Sequence, residues 1–113
     1  MAVAEINHLT IDKGTDFNES FKIYNDDGSV LGINTTYSGT SKLKKYPTSP
    51  TEYPFNVSFD VDNDEVLISM ASTVTSTLPS GRCYFDLILT SGFSNPITKK
   101  YVKGTIIVNE SVS

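Results

Sequence analysis

The chain has 113 residues, a net charge of −4 and 38% apolar residues, which suits one domain with a single two-layer core and is too short for two. Its nine basic residues are scattered, with no like-charge run longer than Lys44-Lys45 or Asp26-Asp27. That spacing argues against a nucleic-acid partner and against an anionic membrane surface, and no stretch is long and apolar enough for a transmembrane helix.

Ser and Thr together number 27, Phe and Tyr 12, and Trp is absent, a composition that favours strands and turns over helices. The N-terminus, MAVAEINHLTID, has neither the basic start nor the long apolar centre of a secretory signal, so synthesis in a cytoplasm without export by that route is expected. The single cysteine, Cys83, excludes an intramolecular disulfide and reads as a small buried hydrophobe.

In chain order, residues 5–11 form the first expected strand and residues 16–24 the second, with Phe17, Phe21 and Ile23 inward. Asn25-Asp26-Asp27-Gly28-Ser29 reads as a tight hairpin turn, followed by a short strand over Val30 to Ile33. Tyr37 to Lys45 is the next strand, with Leu43 inward and Lys42 and Lys44 outward. Tyr46 to Pro54 carries three prolines and reads as a loop or crossover rather than a central strand. Phe55, Val57, Phe59 and Val61 alternate, Asp62-Asn63-Asp64 turns the chain, and Val66, Ile68 and Met70 alternate on the return.

Thr73 to Thr77 reads as a single helical turn, and Leu78-Pro79-Ser80-Gly81 then reverses the chain. The strongest pattern comes last. Cys83, Phe85, Leu87 and Leu89 share one side of a strand whose other side is Arg82, Tyr84, Asp86 and Thr90. After a polar turn, Val102, Gly104, Ile106 and Val108 share one side of its partner, where Gly104 signals a bulge or a close backbone approach. The expected core is Leu9, Ile11, Phe17, Phe21, Ile23, Leu43, Phe55, Val57, Phe59, Val66, Ile68, Met70, Leu78, Phe85, Leu87, Leu89, Ile106 and Val108.

The sequence carries few residues in patterns that suit chemistry. Asp60 to Glu65 places carboxylates at alternate positions, but the sixth position of a calcium loop would be Glu65 rather than Gly and the twelfth Ala71 rather than Glu. A solvated turn is the expected reading, a weak surface calcium site the alternative. His8, the only histidine, has no Gly-x-Ser-x-Gly nearby, and one His with one Cys cannot fill a zinc site. No catalytic residue, cofactor site or metal site is therefore expected. The four Asn-x-Ser/Thr triplets, at Asn18, Asn34, Asn56 and Asn109, read as accidental in so Ser/Thr-rich a chain. Tyr24, Tyr37, Tyr46 and Tyr53 are the candidate interface residues, since tyrosine combines a large apolar body with a polar tip. Two readings stand for Tyr46, Tyr53 and the neighbouring Pro47, Pro50 and Pro54: a contact surface, or a loop packed over an open end of the fold.

Three segments together carry a resemblance: the hydrophobic–Thr–hydrophobic–Asp–x–Gly stretch with a following Phe at Leu9 to Phe17, the Asp-Gly hairpin at 27–28, and the L-P-x-G-x-x-x-F-D-L-x-L-T segment from Leu78 to Thr90. In this order and spacing the chain resembles small immunoglobulin-like virion proteins of tailed phages, including the N-terminal domain of upper baseplate and receptor-binding-associated proteins. It departs from them in carrying Leu31 to Thr36 where Asp-Leu-Thr-Gly is usual, and in the Pro-rich loop at 46–54. Strand rhythm and resemblance agree on an all-β, immunoglobulin-like antiparallel β-sandwich of seven or eight strands forming a single domain over 1–113.

The resemblance implies a non-enzymatic structural protein, made in the host cytoplasm and located in the virion. Its expected partners are itself, as a homo-oligomer in the particle, and other tail, neck or baseplate proteins, with no nucleic acid and no membrane. The alternatives are a surface-binding module for a receptor or glycan, and a capsid decoration protein.

Overall fold

The structure is a computed structural model that describes residues 4–24, 37–92 and 98–110. Among these residues, eight strands and one helical turn follow in order: β1 (Ala4–Asp12), β2 (Phe17–Lys22), β3 (Ser38–Lys44), β4 (Tyr53–Pro54), β5 (Asn56–Asp60), β6 (Glu65–Met70), α1 (Ser72–Thr75), β7 (Gly81–Thr90) and β8 (Thr98–Asn109). They form a five-stranded sheet, β1-β8-β7-β3-β4, and a three-stranded sheet, β2-β6-β5. The first and second strands thus belong to different sheets, and the last strand pairs with the first. This is the immunoglobulin-like sandwich. The expected hairpin turn at 25–29 and the strand over Val30 to Ile33 lie outside the described residues, as does most of the turn before β8.

Alternation builds the core. Along β7, Cys83, Phe85, Leu87 and Leu89 are all buried, and along β8 so are Val102, Ile106 and Val108. The three-stranded sheet answers with Phe17, Val66, Ile68 and Met70, and Ile23 is buried just beyond the end of β2. Aromatic pairs bridge the elements: Phe21 stacks on Phe85 with ring centroids 6.3 Å apart, and Phe17 tilts against Phe55 at 5.6 Å. Phe21, Val57 and Phe59, expected to be fully inward, are only partly buried. All three sit on β2 or β5, the outer strands of the smaller sheet among the described residues, where one lateral side has no described strand beside it. Val61 leaves the strand altogether and is 42% exposed in the turn before β6.

Two pairings refine the sequence reading. β1 runs parallel to β8, with Ile6 opposite Gly104 and Leu9 opposite Ile106, whereas the other strand pairs are antiparallel. A bulge lies between Ile6 and Leu9, so Asn7 and His8 span the single step at Thr105. Gly104 is the close approach its sequence position signals, because a Cβ there would run into the Ile6 carbonyl. Within the Pro-rich segment, Tyr53–Pro54 forms a minimal edge strand on β3, a position that tolerates proline.

The chain changes sheets between Asp12 and Phe17. Gly14 makes the turn at φ +83°, a conformation that side chains disfavour. The buried Thr75 on α1 fixes it: its Oγ1 donates to the Thr15 carbonyl at 2.8 Å and accepts the Gly14 N–H at 3.1 Å. Asp16 reaches back, its Oδ1 accepting the Ser72 N–H at 2.8 Å and doing the work of a helix cap.

Two substitutions probe this frame. Gly104→Ala overfills the β1–β8 contact and is expected to lower stability by roughly 1–3 kcal/mol in urea unfolding. Thr75→Val keeps the shape but leaves the Gly14 N–H and the Thr15 carbonyl without their bonds, at a cost of about 1–3 kcal/mol, whereas Thr75→Ser retains most of the wild-type stability. Unchanged urea midpoints would contradict both expectations.

Candidate functional site

The four tyrosines do not form one patch. Tyr37 adjoins Ser38, the end of β3 that pairs with Thr90, while Tyr46 follows Lys44 at its other end. Tyr24 follows β2 at the end where Lys22 pairs with Glu65, which is also the Tyr37 end, since Gly39 lies against Val57 and Phe59. Tyr53 pairs with Leu43 near the Tyr46 end. Tyr37 and Tyr53 pack against the core, whereas Tyr24 and Tyr46 are 52% and 61% exposed. Between the two readings of the Pro-rich segment, Tyr53 and the buried Phe55 act as cover for the sandwich, and Tyr46 stays on the surface.

A groove lies elsewhere, on the outer face of the five-stranded sheet. It measures about 540 Å³ and is lined from β1, β3, β7, β8 and the segment before β4. Lys42, Lys44, Lys100 and Lys103, far apart in sequence, all line it, interleaved with Glu5, Glu52 and Asp86. Tyr84, 37% exposed, stands between Lys44 and Thr105 in the pairing register. Basic residues that are scattered along the chain are thus gathered by strand pairing, but carboxylates separate them.

Register orders these charges. Lys42 pairs with Asp86, Asp86 with Lys103, and Lys103 with Glu5. Directly opposed residues on one face are neighbours. Glu52 extends the row beyond Lys42, at 2.7 Å from its Nζ. The result is Glu52–Lys42–Asp86–Lys103–Glu5, with the sign alternating at every step. Lys100 also reaches Asp86, at 3.3 Å. Beneath the row, the buried Ser41 hydroxyl donates to the Asp86 carbonyl at 2.6 Å and ties β3 to β7. On the adjoining row, Thr105 donates to Asn7 at 3.1 Å and links β8 to β1.

The hydrogen bond and the charge of Lys42 hold the Glu52 carboxyl below its ordinary value, and Glu52 in turn raises the Lys42 ammonium. Glu110 is lowered by its hydrogen bond from Ser80 and by the nearby Lys13, which fastens the end of β8. Burial pushes the Cys83 thiol up, so this cysteine is packed rather than activated.

Other sequence candidates stay apart from the groove. His8 is exposed in the β1 bulge. In the 60–65 turn, Asp60 accepts from Asn63 through both carboxylate oxygens, at 3.3 Å from the backbone N–H and 2.7 Å from the side-chain amide. Among the described residues no three His, Cys, Asp or Glu side chains are grouped to hold a metal ion, and no helix is long and apolar enough to cross a membrane. Asn18 and Asn56 are exposed on either side of Ser69 on the smaller sheet, Asn109 bonds Asp12 at 3.1 Å, and Asn34 lies outside the described residues.

No protein-family model matches the sequence, and no curated protein matches it. Among solved structures the chain is similar to a Listeria monocytogenes internalin-like protein, at 10% identity and a TM-score of 0.38, over 96% of this chain and 28% of that one. The chain therefore spans little more than a quarter of that protein, and the likeness carries no functional argument.

The ion pair at the end of the row has a defined pH window. The lowered Glu52 contributes stability above its unfolded value, lost as pH falls through the folded one; the raised Lys42 contributes below the ordinary lysine range, lost as pH rises through its folded value. An NMR titration is expected to place the Glu52 midpoint below that of a free glutamate, and Lys42→Met to move it up. A midpoint that Lys42→Met leaves unmoved would contradict the pairing.

Proposed function

We propose that the chain is a non-enzymatic structural protein of a tailed-phage particle, assembling with itself or with other tail, neck or baseplate proteins. The observation that carries this reading is the outer edge of β1. It ends the five-stranded sheet, and among the described residues no strand pairs with its other side. Such an edge is a template for a strand from a neighbouring chain, and the bulge at Asn7–His8 limits how far uncontrolled pairing can run. The segments that carry the resemblance support the same reading. Leu9 to Phe17 builds the change of sheet, and Leu78 to Thr90 builds the entry into β7 and most of the strand itself, so what is shared is the frame.

A second reading rests on the groove. A surface-binding module of a receptor-binding apparatus would use Tyr84 as an apolar platform, with Lys44, Asn7 and Thr105 supplying polar contacts.

Quantitative mass spectrometry of gradient-purified particles from the source of the sequence tests the proposal. The expected result is the chain present at a copy number that fits a three-fold or six-fold tail organelle. A copy number matching the capsid shell would favour a decoration protein. Absence from the particles would end the virion reading and leave the binding module.

A further inference from the structure

The alternating row on the outer face is self-complementary. Consider two copies placed face to face and related by a two-fold axis parallel to the strands. An axis over β7 sets Asp86 against itself and Lys42 against Lys103, which is repulsive throughout. An axis shifted half a strand spacing, to lie between β7 and β8, sets Lys42 of one copy against Glu5 of the other and Asp86 against Lys103, each contact made twice. The adjoining row accepts the same axis without conflict, placing Tyr84 opposite Thr105 and Lys44 opposite Asn7.

A half-spacing shift the other way, between β3 and β7, also matches signs, setting Lys42 against Asp86 and Glu52 against Lys103. Area separates the two. β1, β3, β7 and β8 are long, whereas β4 has two residues. The axis between β7 and β8 is therefore central to the four long strands and buries the most surface.

We propose that a second copy of this chain docks on the outer face of the five-stranded sheet through a two-fold axis between β7 and β8, its charge row interlocking with the first. Each of Lys42, Asp86, Lys103 and Glu5 then has opposite neighbours both along its own row and across the interface, which limits the cost of removing it from water, while Glu52 keeps only its pairing with Lys42. Strand spacing and rise give a footprint on the order of 500 Å² per copy. The two together bury about 1,000 Å², at the lower end for specific interfaces, so the dimer is weak. It is also salt-sensitive, because its contacts are charged and screened over a Debye length of about 8 Å at physiological ionic strength. The inference shares with the virion reading only the idea of self-assembly. Its test uses the purified chain alone, so its failure leaves the particle measurement untouched.

The test separates pairing within a copy from pairing between copies. One variant carries Lys42→Glu with Lys103→Glu, making its row wholly acidic; a second carries Glu5→Lys with Asp86→Lys, making its row largely basic. In analytical ultracentrifugation the wild type is expected to double in mass with concentration and to return to monomer as salt is raised. Neither variant doubles alone, and an equimolar mixture of the two forms a one-to-one dimer. Mixing repairs contacts between copies but not those within one.

Should a variant fail to fold, the wild type gives its own answer. Zero-length cross-linking of a mixture of light and heavy isotope-labelled chain is expected to yield mixed-isotope Lys42–Glu5 links. A wild type that stays monomeric at every attainable concentration overturns the proposal. So does a dimer whose mixed-isotope links join Glu52 to Lys103 instead, or lie off this face.

Discussion

The change of sheet between Asp12 and Phe17 is the constraint on which the other contacts depend. In four intervening residues the chain leaves one layer and enters the other, and Gly14 supplies the positive φ that the turn needs. A turn of this kind is held by what bonds its backbone. Thr75, on the opposite side of the core in sequence, supplies both a donor and an acceptor from a fully buried side chain. Asp16 returns the bond to Ser72. The first turn and the single helical turn are therefore one polar node at the end of an otherwise apolar sandwich, which fixes where β1 and β2 begin to diverge.

The outer face follows from that divergence. With β2 committed to the smaller sheet, β1 is free to lie along β8, and the missing side chain at Gly104 lets the two backbones meet at Ile6. This pairing brings Glu5 beside Lys103 and completes a row that would otherwise stop at β8. The buried alternation of β3 and β7 places Lys42 and Asp86 on the same outward side, while Ser41 anchors the pair from below. A surface with charges in strict alternation across strands is thus the outward image of the rule that fills the core. Individually these exposed pairs stabilise the monomer only slightly. Their order matters for what the face can meet.

How much of this was legible in the sequence differs by element. The two last strands are readable because period-two alternation is a local signal, and Cys83, Phe85, Leu87 and Leu89 are buried as that pattern requires. The turn before β6 is also local, as is the helical turn before β7, which forms over Ser72–Thr75 where the sequence predicts Thr73 to Thr77. The parallel pairing of β1 with β8 was not readable, since nothing in either strand records the direction of its neighbour. It also makes β8 an interior strand, where a sequence reading leaves open that the C-terminal strand is an edge. Thr75 was hidden for a different reason. One threonine among many carries no mark of burial, and its partners lie about sixty residues away. The tyrosines at strand ends were visible as residue types, but only the register shows that they fall at opposite ends of the sandwich. Tyr84, Lys42 and Lys44 read as outward from alternation alone, yet their convergence with Lys100 and Lys103 depends on pairing across strands.

Both the fold topology and the completed charge row depend on β1 lying parallel to β8. The most direct measurement is the pattern of interstrand nuclear Overhauser contacts in the purified chain. Contacts are expected between the backbones of Ile6 and Gly104 and of Ile11 and Val108, advancing in the same direction along both strands. Contacts that run in opposite directions, or that join β1 to the three-stranded sheet instead, would contradict the parallel pairing.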